Sequence, residues 1–219
     1  MKLNWRTVKS YLRDEVVEVS DSPHNGRLEV GYAYGKLMLN TENVNYSYGL
    51  LDKVMRTAIY RLKVERRAVH DVLLLGLGAG NLAAILGEHK RPYRMVGVEI
   101  DPEVVRLGRR HFGLDAYPSL EVVVADAVDY IRQCTDRYDL IIVDLFRDAY
   151  VPRTAETDQF MLGLARCLHR EGLLMWNRLM LDAELRQQTE SFTRKMQGIL
   201  PGTSYISAAG NRMLYYERK

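Results

Sequence analysis

The sequence predicts an α/β protein with a mostly parallel sheet, an antiparallel C-terminal hairpin and a small N-terminal β appendage. Three observations carry that expectation. Apolar runs and helical patterns alternate from residue 72 onward, as parallel strands joined by right-handed crossovers require. A glycine loop, Gly76-Leu77-Gly78-Ala79-Gly80-Asn81, follows the first of these runs and opens a helix, and the acid Glu99 closes the next run about 20 residues on. The length, 219 residues, suits one α/β domain with an appendage and allows a core that needs neither disulfide nor metal. We divide the chain into an appendage, 1–45, and a main domain, 46–219.

Residues 16–19, 28–32 and 36–39 are short apolar runs separated by Ser22-Pro23-His24-Asn25-Gly26 and by Gly35. Asn-Gly and isolated glycine between such runs are hairpin signals, so an antiparallel sheet of two to four strands is expected. It holds too few apolar residues for a core of its own. It should pack on the main domain or on a second copy, with a homodimer as the expected assembly. Residues 46–65 place Leu50, Leu51, Val54, Ala58, Ile59 and Leu62 at helical spacing, an amphipathic helix bridging appendage and core. Strands are then expected at 72–75, 95–98, 120–124, 140–143 and 173–176. Helices fall between them at 82–88, 102–112, 127–134 and 157–169, the last closed by a Glu171-Gly172 turn. A helix at 182–199 ends at Pro201-Gly202, and 204–207 and 213–217, joined through Gly210-Asn211, form the closing hairpin.

Composition narrows the function classes. The formal charge is +3 with acids and bases interspersed, so there is no basic stripe of the kind a nucleic-acid duplex requires. No run approaches the roughly 18 apolar residues of a membrane span, and the first residues lack the apolar stretch of an export signal, so a soluble cytoplasmic protein is expected. Cys134 and Cys167 read as buried free thiols, and the five histidines show no paired spacing, so no metal is expected.

Polar groups converge on the carboxyl ends of the strands. Backbone N–H groups around Gly76, Gly78 and Gly80, beside a helix N-terminus, suit a nucleoside or nucleotide. Glu99, with Ile100 beside it, would accept ribose hydroxyls. Asp126 would accept the adenine amino group while the Ala127 N–H reaches a ring nitrogen; a helix N-cap is the other reading of Asp126, and the two are compatible. The G-x-G-x-G form, with an acidic strand end and Asp101-Pro102, points to S-adenosylmethionine rather than a dinucleotide. Asp144 ends the run 140–143 and would hold or deprotonate an incoming acceptor, or steady a positive charge. Asp148 is either a second acid or half of a surface pair with Arg147. Asn177 either offers hydrogen bonds to an acceptor or lies in a plain loop.

Residues 72–81, Val98-Glu99-Ile100-Asp101, Val124-Ala125-Asp126-Ala127 and Tyr138-Asp139-Leu140-Ile141-Ile142-Val143-Asp144 resemble the spermidine synthase (polyamine aminopropyltransferase) family, over roughly residues 16–180. The resemblance implies a Rossmann-like class I methyltransferase fold. It also implies a nucleoside held by Gly76, Gly78, Glu99, Asp126 and Ala127, with Asp144 as the first acid of the catalytic loop. The chain departs from the family in three places. Ala79 stands where the family has an aspartate that holds the amine of decarboxylated S-adenosylmethionine. Arg147 stands where the second catalytic acid belongs, with Asp148 one place late. Of a Tyr-His-Glu before the main domain's first helix only Tyr48 survives. Asp144, Asp148 and Tyr48 are therefore the catalytic candidates. The expected protein is an S-adenosylmethionine-dependent transferase acting on a small molecule, by methyl or aminocarboxypropyl transfer or by cyclisation of the cofactor's side chain. A genuine aminopropyltransferase using the decarboxylated cofactor and a non-catalytic nucleoside-binding module are the alternatives.

Overall fold

The apolar runs become strands of two sheets in a computed structural model that describes residues 15–41, 50–146 and 150–219. Strands β1 (Glu15–Ser22), β2 (Gly26–Ala33) and β3 (Lys36–Thr41) form an antiparallel sheet of their own. Helix α1 (Leu50–Arg61) leads to β4 (Asp71–Leu75), α2 (Asn81–Gly87), β5 (Arg94–Glu99), α3 (Pro102–His111), β6 (Leu120–Val124), α4 (Ala127–Gln133) and β7 (Tyr138–Val143). Then come α5 (Asp158–Arg166), β8 (Leu168–Leu179), α6 (Ala183–Ile199), β9 (Ser204–Ala208) and β10 (Asn211–Glu217). The main sheet has the order β6-β5-β4-β7-β8-β10-β9, with β4 to β8 parallel and β10 antiparallel to both neighbours. The α/β architecture expected from the sequence, a mostly parallel sheet closed by an antiparallel hairpin, is the one observed.

The central strands are continuously apolar because both of their faces are covered. Side chains alternate across a strand. Val72, Leu74, Leu140, Ile142, Met175 and Met213 therefore pack with α1 and α2, through Val54, Met55, Ile59 and Leu86. Their neighbours Leu73, Leu75, Ile141, Val143, Trp176 and Leu214 pack with α4, α5 and α6, through Ile131, Phe160, Met161 and Phe192. Helix starts follow the sequence signals: Asp101, Asp126, Thr157 and Asp182 each accept a backbone N–H of the first turn they precede.

The boundaries of α5, β8 and α1 differ from expectation. The helix expected at 157–169 ends at Arg166, and β8 begins at Leu168. Glu171-Gly172 is not a helix-closing turn but part of β8. Glu171 takes φ +65 where the pairing with β7 shifts register between Tyr138 and Leu140. Arg218, just after β10, satisfies this bulge, with Glu171 N donating to Arg218 O at 2.7 Å and Arg218 N to Gly172 O at 3.0 Å. The strand expected at 173–176 runs on to Leu179, because β10 pairs with it from Asn211 opposite Leu179 to Glu217 opposite Leu173. Helix α1 stops at Arg61 and gives way to a short 3-10 turn, Val64–Arg66, after left-handed Lys63.

The N-terminal sheet packs on its own chain. Leu28, Val30 and Leu39 form an apolar cluster with Ala79, Val104 and Leu107. At its polar margin the Ser22 hydroxyl donates to Asp101, the Asn25 amide donates to Asp101 at 2.5 Å, and the Ser20 hydroxyl donates to Glu103. Glu18 accepts from His111 Nε2 at 2.5 Å, from Arg106 at 2.7 Å and from Arg110 at 3.3 Å. The His111 bond first, and then Arg106, hold the Glu18 carboxyl down to about 2 from an ordinary 4.5. A carboxyl depressed in the folded state stabilises it above its unfolded pKa and loses that contribution as pH falls through the folded one. Urea unfolding followed against pH should thus show stability lost between about pH 4.5 and 2 in the wild type. Glu18→Gln should flatten that slope; an unchanged slope would show that the latch carries no linkage. Among the described residues no helix is long and apolar enough to cross a membrane.

Candidate functional site

Sheet register assembles the site. Leu75 pairs with Val143 and with Val98, and Val143 pairs with Trp176. The next residues along, Gly76, Asp144 and Asn177, therefore stand side by side at the carboxyl edge, where α/β sheets bind ligands. Asp144 N donates to Leu75 O at 2.8 Å, while Gly76 N and Leu77 N donate to Val98 O at 2.9 and 3.0 Å. The start of the glycine loop is thus tied to the end of β5 on one side and stands against Asp144 on the other. Gly76 has φ +84, and a Cβ there would lie 2.3 Å from Asp144 O.

Glu99 is 5% exposed and turns its carboxylate onto the same loop. It accepts from Gly78 N at 2.8 Å and from Asp101 N at 3.1 Å. Burial raises its pKa, and the backbone N–H groups of Gly78, Asp101 and Ile100 oppose the rise. Ile100 is 41% exposed, on the outer side of the same strand end. Asp126 is a helix cap, its Oδ1 accepting from Val128 N at 2.7 Å and Asp129 N at 3.1 Å, and Ala127 opens α4 with its side chain in the core.

Asp144 keeps some exposed surface, while its carboxyl is shut away enough that burial pushes it up to about 6; the Asn177 amide opposes the rise. Asn177 is fully buried within β8, not in a loop. Its amide is used inside the protein. Nδ2 donates to Asp144 Oδ1 at 2.9 Å, and Oδ1 accepts from Asn211 Nδ2 at 2.8 Å. Sequence reasoning missed Asn211, whose only local signal is a Gly-Asn turn. It also missed Asn81, 8% exposed at the start of α2, whose side-chain oxygen and nitrogen are both buried without a partner. Tyr48, Asp148 and Arg147 lie outside the described residues. Among the described residues no three His, Cys, Asp or Glu side chains stand where they would share a metal ion.

The family model described as the spermine/spermidine synthase domain matches residues 59–209. The chain belongs to this family. The matched span holds every residue of the crevice described above except Asn211. The polyamine aminopropyltransferase of Vibrio vulnificus is 27% identical over 146 residues, covering 65% of this chain and 48% of that protein. The eEF1A lysine and N-terminal methyltransferase homolog of Drosophila melanogaster is 26% identical over 133 residues, 57% of this chain and 20% of that protein. The spermidine synthase-like chain thus spans less than half the length of either relative. A spermidine synthase solved in complex with the transition-state analogue AdoDATO shares the fold. It has a TM-score of 0.76 at 16% identity, over 94% of this chain and 74% of that one.

Proposed function

We propose that this spermidine synthase-like chain is a transferase that uses intact S-adenosylmethionine and acts on a small-molecule acceptor held against Asp144. The observation that carries the reading is Ala79. It offers no carboxylate at the loop and packs among Leu28, Val30, Leu39 and Val104. An acid placed near the cofactor's amino end would repel the carboxylate of the intact form, so an enzyme for the decarboxylated form gains discrimination from it. Without that acid the intact form meets no such repulsion.

The described residues fit the group. The unpaired amide of Asn81 calls for a polar partner beside the loop, and a Cβ built on Gly78 meets nothing within 4 Å, leaving the loop backbone approachable. The N–H groups of Gly76, Gly78 and Gly80 are taken by Val98 O, Glu99 and Leu77 O, so these glycines would hold the nucleoside by letting it approach the loop backbone, with Glu99 on its ribose and Ile100, Asp126 and Ala127 at the adenine. When bound, the cofactor supplies an electrophilic carbon on a sulfonium. Asp144, with its carboxyl near 6, is mostly ionised at neutral pH and can hold a cationic acceptor or take its proton. Tyr48 and Asp148 complete the reading as acceptor-side groups. We read the assembly as a cytoplasmic homodimer, and light scattering at the monomer mass of 25.3 kDa would remove the dimer.

Competition calorimetry with the two cofactor forms tests the reading. The intact form should bind at least as tightly as the decarboxylated one. A decarboxylated form that wins by tenfold or more, about 1.4 kcal/mol, would restore polyamine aminopropyl transfer, the reading that the Vibrio relative supports. Mass spectrometry then sorts the chemistry. Adenosylhomocysteine marks methyl transfer, which the Drosophila relative supports, and methylthioadenosine marks departure of the three-carbon arm. If neither form binds, and methylthioadenosine and adenosylhomocysteine do not bind either, the nucleoside reading falls altogether.

A further inference from the structure

We propose that Asn211, acting through Asn177, positions the Asp144 carboxylate, so that the C-terminal hairpin is a working part of the reacting site. This rests on the reading of Asp144 as the acceptor-side carboxylate.

The placement follows from strand register. Asn177 stands opposite Met213 across β8 and β10, so the two side chains share a face, the one that Met175 and Met213 bury against α1. Asn211 precedes Met213 by two residues, returns to that face, and is the diagonal neighbour of Asn177. On the other side, the pairing of Val143 with Trp176 carries Asp144 alongside Asn177. The result is a chain of two amides ending on a carboxylate, with links of 2.8 and 2.9 Å.

Hydrogen-bond chemistry then dictates both amide orientations. An ionised carboxylate only accepts, so Asn177 must turn its NH2 to Asp144 and its oxygen to position 211. Asn211 meets that oxygen with its own NH2. Asn177 is 0% exposed and Asn211 6%, so water cannot repair a wrong orientation, and a buried polar group left unpaired is costly. No charge competes with this control among the described residues. Arg178 and Arg212, the next residues along the two strands, project to the opposite face. There Arg178 pairs with Glu156 at 2.5 Å and lies over Phe192, and Arg212 lies over Tyr205. Glu99 turns to the loop backbone, and Arg56 of α1 pairs with Asp52 of the same helix and with Glu88 just after α2. Burial and the Asn177 amide are the two influences on Asp144.

Asn211→Asp reverses the signal with little change of shape. An oxygen now faces Asn177, which flips to donate to it and turns its own oxygen to Asp144. The two carboxyls at the ends of the chain must then share a proton to complete it, which draws Asp144 toward its protonated form. The test follows the 13C resonance of the Asp144 carboxyl against pH, assigned by its loss in Asp144→Asn. The wild-type midpoint should lie near 6. Asn211→Asp should raise it by at least about one unit, a tenfold gain in proton affinity. Asn211→Ser, which keeps a donor, and Asn211→Ala, which does not, should order with Ala higher. Should Asn211→Asp fail to fold, this pair still decides. An Asp144 midpoint indifferent to residue 211 in a folded variant would overturn the proposal, even if the variant had lost stability. The titration needs no cofactor, so failure of the transferase reading would appear in calorimetry and leave this result standing.

Discussion

Gly76→Ala is expected to destabilise the protein by about 2–6 kcal/mol, enough to unfold it if its stability lies at the low end of the usual 5–15 kcal/mol. Two costs add. A non-glycine residue at φ +84 is strained by about 1–3 kcal/mol. A methyl group 2.3 Å from Asp144 O and 2.9 Å from its carbonyl carbon overpacks by about 1–3 kcal/mol more, and what it meets is backbone that cannot rotate away. The strand end cannot retreat either, since Asp144 N and Gly76 N are bonded to Leu75 O and Val98 O. Gly78→Ala is the control. It has φ +56 and nothing within 4 Å of an added Cβ, so strain alone should cost about 1–2 kcal/mol. Urea unfolding of both variants reads the difference. Equal losses would show that the close approach of Gly76 to Asp144 is not what requires glycine at 76.

Asp144→Asn should lower kcat by about 10²- to 10⁴-fold, the usual worth of a positioned acid or base, while leaving cofactor affinity nearly unchanged. The substitution keeps the shape, and the new amide oxygen can still accept from Asn177. What goes is the charge and its affinity for a proton. In the wild type, kcat should fall as pH drops through about 6, where Asp144 takes up its proton. The sign for stability is opposite to that for turnover. Burial raises this carboxyl from 3.8 to about 6, so the fold binds the proton more tightly than the unfolded chain. Stability is then full below the unfolded value and declines as pH rises through 6, which leaves the ionised group a cost at neutral pH. Asp144→Asn should therefore be more stable than wild type at pH 7, by about 1–3 kcal/mol. A variant with full turnover would remove Asp144 from the chemistry, and one that loses stability instead would show that the ionised form is held by contacts beyond Asn177.

Much of this molecule is determined by the sequence alone, for a physical reason that acts over short range. A strand buried on both faces must be apolar throughout, which makes β4, β5 and β7 legible. The first polar residue after such a run must emerge at the sheet edge, which makes Glu99 and Asp144 legible as members of one crevice. Asp126 and Thr157 cap helices because their side chains reach N–H groups two or three residues ahead, again a local matter. What only the tertiary structure decides depends on pairing between distant segments. The Glu171-Gly172 bulge looks like a helix terminus until β7 and Arg218 supply its partners. The N-terminal sheet, short of a core of its own, finds one on α3 through Leu28, Leu39 and Glu18, residues that carry no local mark of that destination. Asn177 and Asn211 lie 34 residues apart, and the sequence offers the first to an acceptor or a loop and the second only to a turn. Only the register of β8 against β10 puts both on the face of Asp144, because register is set by how whole strands bury their sides and by no single residue within them.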